Sequence, residues 1–70
     1  MPIAMIRSGE VVKVIKVLLD EGTRKHLESL GVLVGAELKV ISNNSGDLVV
    51  EVKGSRLGLS RSVTSKILVA

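Results

Sequence analysis

His26 is the only histidine in a chain that has no cysteine, and together these facts bound the chemistry within reach. A transition-metal site built on His26 would need carboxylates to complete it, with Asp20, Glu21 and Glu28 nearest in sequence. Glu28 lies two positions on, so on a helix it points away from the imidazole. Shells of carboxylate and water suit Mg²⁺ or Ca²⁺ better than a tight transition-metal site. His26 is therefore expected to be an ordinary exposed helical residue, and no resident metal or cofactor is expected. Nucleophilic catalysis needs a nucleophile, a base and an orienting group within bonding reach. Ser29, Ser42, Ser60, Ser62 and Ser65 are present, but a single histidine without an acid partner does not activate them. Such serines more often serve caps and turns. Glu37, Asp47 and Glu51 fall on expected strands or turns and should face solvent. No G-x-x-x-x-G-K-(S/T) phosphate loop occurs, so the chain itself is not expected to bind GTP. No catalytic residue is assigned, and an enzyme is the least favoured reading.

Surface remains. Gly31 and Gly35 bracket Val32, Leu33 and Val34. Val32 and one neighbour are expected to pack inward. An exposed Leu33 or Val34 beside the basic Arg24 and Lys25 would make a docking site. Arg24, Lys25, Leu33 and Val34 are the candidate partner-binding residues.

These residues need a scaffold, and the run from Thr23 to Val40 supplies much of it. Thr23 is a helix-capping residue type, and a short helix is expected from about Thr23 to Leu30. Leu27 and Leu30 lie three apart and share a helical face, so both are expected in the core. Gly31 stands where a left-handed residue ends a helix, with Val32 folding back on Leu27 in a Schellman arrangement. Gly35 permits a second sharp bend before the next strand.

Upstream, Glu10–Leu19 is ambiguous. Val11, Val12, Ile15, Leu18 and Leu19 have helical spacing, yet the stretch is crowded with β-branched residues, which favour a strand. The strand reading is followed. One face would then enter the core, and the helix after Thr23 is the nearest cover for the other. Downstream, Glu37–Ser42 and Leu48–Lys53 read as strands, joined by a turn at Asn43–Gly46. Gly54-Ser55 fits a two-residue type II′ hairpin that returns the chain as Arg56–Ser60, with Leu57 and Leu59 on one face. Ser60 could cap a short helical turn, and Lys66–Val69 reads as a last strand. Five short strands with tight turns imply a small barrel whose closure removes exposed edges.

The 70 residues suit one small domain, whose core supplies roughly 3–5 kcal/mol of net stability. Without cysteine there is no disulfide staple. The 46% of hydrophobic residues, nearly all Val, Leu and Ile, compensate, and self-association is a second route left open. Aromatic content is 0%. This argues against proline-rich peptide grooves and base-stacking platforms, both usually aromatic-lined. The net charge of +3 and pI near 9.7 come from dispersed Lys and Arg rather than a block, as on an ordinary solvated surface. A small basic β-barrel that binds nucleic acid is the second-ranked reading, and no nucleic acid is expected as partner. No apolar run approaches the ~18 residues of a membrane span. The N-terminal residues lack a signal-peptide pattern, so a cytoplasmic protein without membrane insertion is expected.

Four segments, in order, resemble the ferrous iron transport protein A (FeoA) family. Arg24, Leu27, Leu30, Gly31, Val32 and Gly35 follow its R-x-x-L-x-x-L-G-(I/V)-x-x-G signature. Gly9-Glu10 leads to Val14 as in its G-x-x-x-x-(V/I) opening. Gly54–Leu59 resembles G-x-x-(I/L)-A-L, and Val63–Val69 resembles x-A-x-x-I-x-V. Gly58 and Thr64 stand where the family usually has Ala, and Val34 replaces a frequent Pro. The resemblance covers nearly the whole chain. It implies a mainly β fold, a small SH3-like five-stranded barrel with a short helical insertion. It also implies a non-enzymatic cytoplasmic accessory of iron homeostasis, with the FeoB-type ferrous iron transporter as partner and a transition metal as cargo. Leu27, Leu30, Gly31, Gly35 and Gly54 would be the structural motif residues.

Overall fold

The computed structural model describes residues 1–70. A 3-10 turn at Ile3–Met5 precedes β1 (Val11–Val17), α1 (Glu21–Ser29), β2 (Glu37–Asn44), β3 (Asp47–Val52), β4 (Ser55–Leu59), α2 (Arg61–Thr64) and β5 (Ile67–Val69). The strands form one antiparallel sheet in the order β4-β3-β2-β1-β5. β1 joins its two halves: Val11–Lys13 pair with β2, and Val14–Val17 pair with β5. That switch bends the sheet around its apolar face into an SH3-like barrel. β4 and β5 do not pair, so the barrel stays partly open rather than closed as expected. The free side of β5 is covered by the N-terminal residues, through a Pro2↔Leu68 bridge and Val69 N–H donating to the Met1 carbonyl at 2.8 Å.

Residues 11–17 are strand, as composition rather than periodicity indicated. Val12 and Val14 point into the core, with Leu38, Val40, Leu48, Val50, Ile67 and Val69 from the other strands and Leu27 and Val32 from the helical excursion. α1 does not cover the outer face of β1: Val11 and Ile15 remain 60% and 49% exposed. A register shift between Val14 and Lys16 interrupts the alternation there, as a bulge turns side chains out of step.

Both hairpins differ from expectation in where the loop falls. Asn44 pairs with Asp47 and Val52 with Ser55, so the loops are Ser45-Gly46 and Lys53-Gly54. All four loop residues have positive φ, from 50° to 95°, which is the type I′ pattern that matches strand twist. The second turn therefore lies one residue earlier than Gly54-Ser55 and is not type II′. Asn43 is not a turn residue. Its amide donates to the carbonyls of Ala4 (2.9 Å) and Ile6 (2.7 Å), while its oxygen accepts from Gly46 N–H (2.9 Å). One side chain thus ties the N-terminal turn to the β2–β3 hairpin.

α2 is capped from outside. Ser60 makes no side-chain cap bond; the Asp47 carboxylate accepts from Arg61 N–H at 2.8 Å instead. At the far end Thr64 is fully buried, and its hydroxyl donates to the Gly46 carbonyl at 2.6 Å. Thr64→Val keeps the shape and removes that donor, leaving a buried carbonyl without it. Such losses cost about 1–3 kcal/mol, and a lowered urea midpoint is the expected reading.

Candidate functional site

The helical excursion between β1 and β2 carries all four candidate docking residues. Asp20, not Thr23, caps its helix: the Asp20 carboxylate accepts from Thr23 N–H at 3.0 Å and from the Thr23 hydroxyl at 2.7 Å. Those bonds hold the Asp20 carboxyl below its ordinary value of 3.8. A depressed folded-state value means that the cap stabilises above the ordinary value and is lost as pH falls through the lower one. Fraying of the first turn of α1 is therefore expected in that acidic window. In Asp20→Asn the change should be muted, as followed by the amide signals of residues 21–24.

The helix ends as the glycine spacing indicated. Gly31 has φ +98°; its N–H donates to the Glu28 carbonyl at 3.0 Å, and Val32 N–H donates to the Leu27 carbonyl at 2.9 Å. This is the Schellman pair. Val32 then enters the core beside Leu27. Leu30 does not. It occupies the C-cap with φ −93° and ψ 0° and is 41% exposed, so the expectation of two core leucines fails at the second.

Beyond Val32 the chain turns again. Ala36 N–H donates to the Leu33 carbonyl at 2.9 Å, with Gly35 at φ +93°, a type II turn that needs its third residue in this region. Gly35 N–H and the Val14 carbonyl (2.8 Å) pin the turn to β1. Leu33 and Val34 are both exposed, at 39% and 63%, where sequence reasoning expected one of them to be. Leu30 joins them as a third exposed apolar residue of the same segment, and Ile15 stands next to the β1 residue that holds the turn.

Arg24 and Lys25 face their own helix. Arg24 pairs with Glu28 at 2.9 Å and Lys25 with Glu21 at 3.1 Å, both at i,i+4 spacing and both solvent-exposed. Such pairs contribute about 0.3–0.5 kcal/mol, so either can be redirected to a partner at little cost. The structure keeps all four candidates on one excursion, with the two cations paired to carboxylates of α1. Gly54 has its role in the β3–β4 loop, away from this segment in sequence.

Other chemistry is sparse. No group of three or more His, Cys, Asp or Glu side chains is placed to hold a metal ion, and His26 is exposed. One open polar recess of about 600 Å³ is lined by Ser45, Asp47, Ser60, Arg61, Ser62 and Ser65. The Ser60 and Ser62 hydroxyls bond each other at 2.9 Å, and the one carboxylate among the six, Asp47, accepts from Arg61 N–H as a helix cap. No helix is long and apolar enough to cross a membrane.

The fold and this surface define a small SH3-like barrel with a helical insertion that presents apolar side chains. The FeoA domain model matches residues 1–70, and the chain belongs to the FeoA family. It is 37% identical over 68 residues to the "Putative Fe(2+) transport protein A" of Methanocaldococcus jannaschii, covering 97% of this chain and 83% of that protein. It also resembles the solution structure of a FeoA protein from Chlorobium tepidum, with TM-score 0.88 and 26% identity, covering 99% of this chain and 68% of that one. A crystal structure of an iron uptake regulatory protein (FeoA) shares the fold, with TM-score 0.86 at 23% identity, over 100% of this chain and 93% of that one.

Proposed function

We propose that this protein is a small, non-enzymatic cytoplasmic accessory of ferrous iron uptake. It docks on the cytosolic part of a FeoB-type transporter, and ferrous iron is the transporter's cargo rather than a ligand of this chain. The observation that carries the reading is the segment Leu30–Val34. It is fixed at both ends, by the Schellman pair at Gly31 and by the Gly35–Val14 bond, yet Leu30, Leu33 and Val34 stay exposed. Apolar side chains carried on a backbone that is already fixed spare a partner the cost of ordering that backbone, so more of their burial goes towards affinity. Arg24 and Lys25 flank the segment in sequence and supply charge for an acidic rim. Docking of this kind modulates transport by favouring one conformation of the transporter through differential affinity.

The test is ferrous iron uptake in source cells that lack the chain, restored with either the natural sequence or Leu33→Glu/Val34→Glu. Deletion should lower uptake and the natural chain should restore it. The double variant should keep the folded spectrum, bind the transporter's cytosolic part at least about tenfold more weakly, and fail to restore uptake. Full restoration by the folded double variant would remove this surface from the mechanism. Unchanged uptake on deletion, with an active transporter present, would remove the accessory role itself.

A further inference from the structure

β4 is the last strand on its side of the sheet. Its pairing with β3 begins at Val52↔Ser55 beside the two-residue loop and runs through Val50↔Leu57 to Leu48↔Leu59 without a register shift. In such a hairpin the pair flanking the loop is hydrogen-bonded, and bonded pairs alternate along the ladder. Ser55, Leu57 and Leu59 thus bond inward. Arg56 and Gly58 turn their N–H and C=O groups to the open edge, and no backbone bond from a loop, turn or terminus reaches them. Edges are commonly blunted by proline, bulges or charge; this one has only Arg56.

The outer face of the sheet gives the edge its chemistry. Lys39 of β2 stands opposite Glu51 of β3, and Glu51 opposite Arg56 of β4. The row alternates in sign across three strands and stops at Arg56 with nothing beyond. These are register neighbours rather than close ion pairs, since both pairs within 4 Å lie on α1. Two residues on, Gly58 is exposed, and a Cβ there would meet nothing within 4 Å. A large side chain on an added strand can lie across such a glycine, as aromatics do over glycines at designed sheet edges.

We infer that the β4 edge is a β-augmentation site for an extended acidic segment of a partner protein. The added strand runs antiparallel to β4. It sets Asp or Glu opposite Arg56, which continues the alternation, and a large apolar or aromatic residue opposite Gly58. Those two positions lie two residues apart on one face of the partner strand. A second copy of this chain fits worse. Ser55–Leu59 holds no acidic residue, so edge-to-edge pairing would leave Arg56 facing glycine or another arginine. The site is built on β4 alone and does not depend on the Leu30–Val34 docking surface.

The experiment titrates the isotopically labelled full chain with a capped strand-forming peptide carrying tyrosine and, two positions later, glutamate. A counterpart peptide replaces glutamate with lysine. With the glutamate peptide, the Arg56 and Gly58 amide signals should shift and their hydrogen exchange should slow. Arg56→Glu should weaken that peptide about tenfold and make the lysine peptide the better ligand. Gly58→Pro removes one outward N–H while sparing the inward bonds, and should weaken both peptides in a chain whose remaining spectrum is unchanged. Should that variant unfold, the charge swap at Arg56 carries the test alone. An absence of shifts at Arg56 and Gly58 at millimolar peptide would overturn the site, as would equal response to the two peptides. Concentration-dependent protection of these amides without peptide would assign the edge to a second copy instead.

Discussion

Leu27→Ala is expected to leave most of the chain unfolded under conditions in which Leu30→Ala is tolerated. Leu27 is 4% exposed and packs in the main core. Truncating a buried leucine to alanine costs about 2–5 kcal/mol. A core of this size supplies roughly 3–5 kcal/mol in all, so the loss is comparable with the whole. Leu30 is 41% exposed, and surface substitutions away from special features usually stay within about 0.5 kcal/mol. Urea unfolding of the two variants decides the matter: Leu27→Ala should show little or no folded baseline, and Leu30→Ala a midpoint near that of the natural chain. The reverse order would mean that the core has been misassigned. The same contrast separates fold from function. A folded Leu30→Ala chain that binds the transporter less well would mark Leu30 as a docking residue, whereas Leu27→Ala says nothing about docking.

The leucine pair also shows where sequence reasoning stops. Spacing of three puts Leu27 and Leu30 on one face only while both are helical. Leu30 is the C-cap, with ψ 0°, and there the chain leaves the helix and the spacing rule lapses. The glycine that follows was legible because only one kind of residue suits a left-handed position there. Asp20 and Thr23 are both cap-forming types three residues apart. Which one caps depends on where the helix starts, and that is fixed by the end of β1. In β1 itself the β-branched residues identified the strand, but no local pattern announced the bulge near Ile15 that leaves its side chain in water.

Long-range partners were the larger blind spot. Asn43 sits among four turn-forming residues and was assigned to the turn. Its hydrogen bonds to Ala4 and Ile6 span 39 and 37 positions, a relation that no window of sequence contains. Asp47 was expected only to face solvent, and it caps a helix fourteen residues away. Thr64 stands where the family usually has Ala, and no local pattern announces that it is a buried donor to Gly46. For the docking surface, the two glycines and the apolar residues between them were legible. The exposure of both Leu33 and Val34 was not, because it follows from the bond between Gly35 and β1. The open edge of β4 was hidden by the expectation of a closed barrel.

Gly31→Val should be strongly destabilising, and Gly35→Ala is its control. Both glycines have strongly positive φ, +98° and +93°, so each replacement forces a side chain into a region that costs about 1–3 kcal/mol. They differ in what a side chain would meet. At Gly35 an added Cβ finds nothing within 4 Å; at Gly31 it lies 3.2 Å from Val52 Cγ2, and Val52 belongs to the core. The branched side chain of valine at position 31 must push Val52 or the end of α1 aside, and overpacking of this kind costs a further ~1–3 kcal/mol. The sum approaches the stability of the whole domain, whereas Gly35→Ala has only the backbone cost. Urea unfolding should therefore place Gly35→Ala between the natural chain and Gly31→Val. Gly31→Ala should fall close to Gly35→Ala if Val52 gives way to a single methyl, and below it if Val52 is held by its neighbours. Equal midpoints for Gly31→Val and Gly35→Ala would show that the left-handed conformation alone makes Gly31 necessary, and that α1 can ride on β3 without close contact.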